Sequence, residues 1–109
     1  MAGKVAATKD RIASILEAVR RHVPIAAAYL FGSQARGEPS ENSDIDIAVF
    51  SPAVEGMSVW DRMELEIAIR REVGYDAHII LYSDRWLGAA DKRPASFVAH
   101  ILKTGKRLV

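Results

Sequence analysis

Residues 44–50, which read DIDIAVF, constrain the fold more than any other stretch of the chain. Two aspartates alternate with two isoleucines, and the run then becomes wholly apolar. Because successive side chains of a strand point to opposite faces, Asp44 and Asp46 project from one face. The isoleucines between them point into the core. The stretch therefore predicts a strand with two neighbouring carboxylates, which repel each other and need either a cation or open water.

The length and composition are those of one folded domain. The chain has 109 residues, which suits a single domain over residues 1–109. Half of the residues are hydrophobic and 27% are charged, so we expect a folded chain rather than a disordered one. The net charge of +1 argues against direct binding of nucleic acid.

The chain lacks cysteine and long apolar runs. The lack of cysteine excludes a disulfide scaffold, a thiolate zinc site and a cysteine nucleophile, and it fits a reducing cytoplasm. No apolar run approaches the roughly 18 residues of a membrane span. We therefore predict a cytoplasmic protein without membrane contact.

Hydrophobic periodicity and turn residues predict helices that alternate with strands. Helices are predicted at 8–22, 58–73 and 94–104, with a short helix or turn at 84–90. Strands are predicted at 25–31, 44–50 and 76–83. Thr8 can cap the first helix, Pro94 opens the last one and Gly105 closes it. The result is an α/β (α+β) domain with a small mixed sheet of at least three strands and about four helices.

Residues 58–73 carry two conflicting patterns. Apolar residues alternate there as they would in a strand: Met63, Leu65, Ile67 and Ile69. The residue types favour a helix, Ser58 and Asp61 have capping-box spacing, and Glu66 and Arg70 stand four residues apart. We interpret the segment as a helix.

The turn before the aspartates offers what a triphosphate needs. Two carboxylates about 7 Å apart on one face can jointly hold magnesium, which keeps waters and takes further ligands from phosphates. Gly32 lets a phosphate approach the backbone, and Ser33 supplies a hydroxyl at the start of a helical turn. Arg36 supplies a planar cationic fork. Each residue alone also fits a structural role, but the joint pattern favours a metal and phosphate site.

The pattern GSQARGEPSENSDIDI, residues 32–47, resembles the nucleotidyltransferase domain of the DNA polymerase β superfamily. That family carries Gly-Ser, a short helical turn, and Asp-x-Asp on the next strand. The short chain further resembles the minimal nucleotidyltransferases (MNT) that are paired with HEPN proteins in prokaryotic toxin–antitoxin operons. The resemblance implies the nucleotidyltransferase fold, phosphate contacts at Gly32 and Ser33, and two magnesium ions held by Asp44 and Asp46.

The sequence departs from the family at the third carboxylate of the site. In GYDAHIILYS, residues 74–83, His78 stands at the usual aspartate, and Asp76 lies two residues earlier on the same predicted strand face. Asp76 is the harder oxygen ligand but stands near the end of the strand. His78 suits magnesium poorly but suits the role of a base near neutral pH. His78 as a purely structural residue is the third alternative.

The resemblance implies a magnesium-dependent enzyme that transfers AMP from ATP to a tyrosine hydroxyl of a HEPN toxin, with this chain as the antitoxin. One alternative is a non-catalytic binding module that neutralises its partner by occlusion. A weaker one is a nucleotidyltransferase for small molecules such as antibiotics.

Apolar residues outside the core pattern indicate a protein interface, in a homodimer or a hetero-oligomer: Val54, Met57, Trp60 and Trp86.

Overall fold

The computed structural model describes residues 9–32 and 45–109, with only the backbone for residues 89 and 90. Its helices are α1 (Lys9–Arg20), α2 (Val59–Val73), α3 (Ala89–Lys92) and α4 (Phe97–Thr104), with 3-10 turns at Pro52–Val54 and Asp84–Gly88. Its strands are β1 (Ala27–Phe31), β2 (Ile45–Ser51), β3 (Ala77–Ser83) and β4 (Lys106–Arg107). The α+β architecture confirms the prediction, and the three predicted strands are joined by a short fourth one.

The strands form one mixed sheet in the order β3-β2-β1-β4. Strand β2 is antiparallel to β1 and parallel to β3, and β4 is antiparallel to β1. The parallel pair requires a crossover, which α2 supplies between β2 and β3. Because β2 and β3 run the same way, their first residues lie at the same end of the sheet, next to the last residue of β1.

Both faces of the sheet are covered. Isoleucines of β2 and β3 on one face pack with the apolar sides of α1 and α2, including Ile15, Val19 and Ile69. On the other face, Phe50 packs with Val98 and Ile101 of α4, among others. Tyr82 stacks on Phe50 with ring centroids 5.5 Å apart, and burial raises the pKa of its hydroxyl. The wholly apolar end of β2 is therefore explained by helices on both sides.

The predicted helix over residues 58–73 is confirmed. The hydroxyl of Ser58 accepts a hydrogen bond from the Asp61 backbone N–H at 3.1 Å, as the capping spacing predicts. Residues two apart lie about 200° apart around a helix, so the alternating apolar residues fall on opposite faces. Ile69 is fully buried, whereas Met63 and Ile67 are 43% and 50% exposed. The strand-like alternation thus reflects a helix with two apolar faces.

Two other details differ from prediction. Helix α4 begins at Phe97 and is capped by Ser96, whose hydroxyl accepts from the Ala99 N–H, so Pro94 lies in the turn before the helix. A serine at this position satisfies a free N–H of the first turn, which proline cannot do. Val54 is buried at 5% exposure and belongs to the core, not to an interface. The predicted cap Thr8 lies outside the described residues.

The part of the chain that the structure describes contains no helix long and apolar enough to cross a membrane.

Candidate active site

Asp46 stands where three strands meet at one end of the sheet. It is the second residue of β2, and its register partners are Phe31, the last residue of β1, and His78, the second residue of β3. The side chain of Asp46 is 25% exposed, so its carboxylate is shielded on several sides but reachable from solvent. Its face of the sheet is the one that α4 covers farther along the strands. The predicted position of Asp46 at the entrance of a strand is thus observed.

Gly32 lies directly against this carboxylate. Its φ is 76°, a conformation that residues with a side chain rarely adopt. A Cβ added at Gly32 would lie only 2.6 Å from Asp46 Oδ2. Both the backbone angle and the close approach therefore require glycine. Because glycine has no side chain, only backbone atoms lie beside the carboxylate at this turn.

His78 is the titratable residue that the parallel pairing of β2 and β3 places beside Asp46. Its Nδ1 lies 3.3 Å from Asp46 Oδ1, and its side chain is 47% exposed. A carboxylate beside Nδ1 favours the tautomer with the proton on that nitrogen, which leaves Nε2 as the basic atom. The pair therefore combines a hard oxygen ligand with an oriented imidazole.

Asp76 is engaged elsewhere. Arg11 of α1 donates from Nε to Asp76 Oδ2 at 3.1 Å and from Nη2 to Asp76 Oδ1 at 2.5 Å, and Nη2 also reaches the Val73 carbonyl. The alternation argument fails for Asp76, because β3 begins only at Ala77 and Asp76 belongs to the preceding turn. The structure thus brings His78 beside Asp46 and pairs Asp76 with Arg11, and the roles of both residues as third ligand or base stay predictions.

Three predicted site residues, Ser33, Arg36 and Asp44, lie outside the described residues, and their roles stay predictions. Within ranges 9–32 and 45–109, no group of three acidic, histidine or cysteine residues is placed to hold a metal ion. The surroundings of Asp46 nevertheless suit magnesium, because its carboxylate is one ligand and the glycine backbone beside it leaves room for a phosphate. Magnesium is often held by one or two carboxylates plus substrate phosphates, so Asp44 would be the second protein ligand.

A small cleft adjoins the pair, and nothing in the residue pattern predicts it. Its volume is about 140 Å³, and its lining residues come from α2 and β3. They are Met63, Glu66, Ile67, Arg70, His78 and Ile79. Glu66, predicted to pair with Arg70, accepts a hydrogen bond from the Leu81 backbone N–H at 2.8 Å and so secures α2 against β3. We call this space the His78 cleft.

Comparison with known proteins identifies the domain. The sequence model of the nucleotidyltransferase domain family matches residues 12–100, which include Gly32, Asp46 and His78. The chain belongs to the nucleotidyltransferase domain family. No curated protein sequence is significantly similar to this nucleotidyltransferase domain.

Solved structures of related proteins agree with the family. A toxin–antitoxin structure with AMP-PNP is 30% identical, with a TM-score of 0.59 over 89% of this chain and 71% of the other. A mutant of the toxin–antitoxin pair MntA–HpeT is 28% identical, with a TM-score of 0.56 over 90% and 71%. A putative nucleotidyltransferase from Sulfolobus solfataricus is 26% identical, with a TM-score of 0.51 over 78% and 81%. The predicted nucleotidyltransferase fold and family are confirmed.

The different settings of Asp76 and His78 lead to opposite expectations for their variants. Asp76→Asn removes the charge that Arg11 neutralises in a partly buried pair, so we expect the free energy of unfolding to fall by about 1–3 kcal/mol. His78→Ala leaves a half-exposed position and is expected to change stability little while it lowers nucleotidyl transfer. Urea denaturation measures stability, the initial rate of nucleotidyl transfer measures activity, and magnesium-dependent nucleotide binding is measured for both variants. Arg11→Gln is the matched control, because it should reproduce the stability loss of Asp76→Asn. Weaker nucleotide binding by Asp76→Asn with unchanged stability would instead make Asp76 a ligand.

Proposed function

We propose that this nucleotidyltransferase domain is a magnesium-dependent antitoxin that transfers AMP from ATP to a tyrosine hydroxyl of a HEPN toxin. The observation that carries the proposal is the carboxylate of Asp46, which lies against Gly32 and 3.3 Å from the His78 ring. The similarity to a toxin–antitoxin structure with AMP-PNP supports both the nucleotide and the kind of partner. The protein acts, in this proposal, in the cytoplasm.

Each residue of the site has a separate task. Asp46 and Asp44 would hold magnesium, which when bound neutralises the triphosphate and polarises its α-phosphorus. Gly32 admits the phosphates to the backbone, and Ser33 and Arg36 bind their oxygens. These groups hold the nucleotide so that the leaving pyrophosphate and the incoming hydroxyl stand on opposite sides of the α-phosphorus.

His78 is suited to take the proton of the acceptor. Its Nδ1 faces Asp46, so Nε2 accepts the proton as the hydroxyl oxygen forms its bond to the α-phosphorus. The bond from the α-phosphorus to the bridging oxygen breaks, and pyrophosphate leaves with that electron pair. In this proposal, an acceptor side chain approaches His78 from its exposed side, next to the cleft that His78 lines.

Occlusion without catalysis is the second candidate. It is supported by the ion pair of Asp76 with Arg11, because a metal ion would have to compete with Arg11 for this carboxylate. Transfer to a small molecule is the third and weakest candidate.

Intact-mass analysis after incubation with magnesium and ATP separates these candidates. The two proteins in the reaction are this chain and the HEPN protein encoded beside it. We expect the HEPN protein to gain one or more AMP units, and we expect Tyr→Phe at the modified residue to abolish the gain. If the two chains bind tightly and neither mass changes with any nucleotide or divalent metal, the occlusion mechanism is correct instead.

A further inference from the structure

Helix α2 presents an apolar row to solvent. Trp60, Met63 and Ile67 follow one another at helical spacing, and they are 75%, 43% and 50% exposed. The opposite side of the same helix is buried, with Ile69 at 0% and Val73 at 9% exposure. We call the three exposed residues the outer stripe. A large aromatic and two aliphatic side chains in a row on the surface indicate a surface that another molecule covers.

The outer stripe leads directly to the candidate active site. Met63 and Ile67 form one wall of the His78 cleft, and His78 forms the other. His78 is the link to the carboxylate, because it lines the cleft and its Nδ1 lies 3.3 Å from Asp46 Oδ1. A molecule seated on the stripe can therefore place a side chain into the cleft beside His78.

The end of the stripe near the cleft is cationic and aromatic. The Arg70 guanidinium lies over the Tyr75 ring, 5.6 Å from its centroid, and Tyr75 is 66% exposed. Arg71 is exposed on the next position of the helix. A complementary surface would carry an apolar row followed by carboxylates. From Trp60 to Ile67 the stripe is about 10 Å long, which matches about two turns of a facing helix.

We propose that the outer stripe docks the protein acceptor, through a helix of that protein with an apolar row and acidic residues at the end that faces Arg71. This inference rests on the proposed function, because it assigns the surface to the protein that receives the nucleotide. A second copy of this chain fits less well, since a copy seated on the stripe would cover the cleft and block the exposed side of His78. The acceptor is the occupant that has to enter it.

The first test uses binding alone, so that it does not depend on catalysis. Ile67→Glu places a charge at the end of the stripe that borders the His78 cleft, and it is expected to weaken binding of the co-encoded HEPN protein at least about tenfold in isothermal titration calorimetry. Ala13→Glu, on the exposed side of α1, is the matched control and should bind as wild type. Magnesium-dependent ATP binding should be the same in both variants.

The second test uses the lack of cysteine in the natural chain. Met63→Cys, labelled with a photo-crosslinker, should attach covalently to the HEPN protein, and labelled Glu17→Cys on the exposed side of α1 should not. Unchanged affinity of Ile67→Glu, or equal crosslinking from both cysteines, overturns the proposal. So does a dimer of the isolated chain, seen by sedimentation, that Ile67→Glu dissociates. Binding that depends on the stripe without any gain in mass supports the docking surface and overturns nucleotidyl transfer, so the two failures are distinguishable.

Discussion

Asp46→Asn is expected to lower the rate of nucleotidyl transfer by about 10³-fold, because the variant keeps the shape of the side chain but removes its charge. The charge is needed to hold a divalent cation beside the triphosphate, and it also faces His78 Nδ1 at 3.3 Å. An amide in its place lacks the charge that attracts the cation, and it favours the proton on Nδ1 less than a carboxylate does. The rate is measured from the initial gain in mass of the acceptor with saturating ATP.

The control for this variant is Asp10→Asn, which makes the same chemical change at an exposed position of α1. Its rate should equal that of wild type. The free energy of unfolding of Asp46→Asn should fall by no more than about 1 kcal/mol, because the side chain is partly exposed. Transfer at the wild-type rate by a folded Asp46→Asn variant would show that the site lies elsewhere.

Gly32→Ala is expected to disable the same site through the backbone. Its φ of 76° strains any residue with a side chain, and the added methyl group would meet Asp46 Oδ2 at 2.6 Å. Because the carboxylate has to move away, we expect transfer to fall by about 10²-fold, the effect of misplacing a reacting group by about 1 Å. The strain should also lower the free energy of unfolding by about 1–3 kcal/mol.

Gly56 provides a matched control that separates the two effects. Its φ of 82° is nearly the same, but a Cβ there would have no atom within 4 Å. Gly56→Ala should therefore lower stability by about 1–2 kcal/mol from backbone strain alone and leave the transfer rate unchanged. If the two alanine variants lose activity equally, the contact between Gly32 and Asp46 has no role in the reaction.

The local patterns predicted the main elements well. Strands β1 and β2 are short apolar runs bounded by turn residues, and this signal needs no information from the rest of the chain. Helix α2 was recognised from its residue types and the Ser58 cap, although its apolar residues alternate. The alternation conflicts with a helix only in appearance. It arises because this helix carries apolar residues both on the side that faces the sheet and on the side that faces solvent.

The position of Asp76 could not be read from local pattern. Its partner Arg11 is 65 residues away along the chain, and the two meet only because α1 packs beside the end of α2. The alternation of side chains also holds only within a strand, and one residue decides whether Asp76 belongs to β3 or to the turn before it. The His78 cleft depends in the same way on how α2 lies against β3, through contacts such as Glu66 to the Leu81 N–H.

The sequence by itself determined the class of domain, the position of Asp46 on a strand and the need for glycine at the turn, because strand periodicity and turn chemistry are local properties. Only the tertiary structure decided which titratable residue stands beside Asp46. The parallel register of β2 and β3 pairs Asp46 with His78. The packing of α1 places Arg11 beside Asp76, and the two residues form an ion pair. Such choices between distant residues follow from strand pairing and helix packing, which join parts of the chain that no local pattern connects.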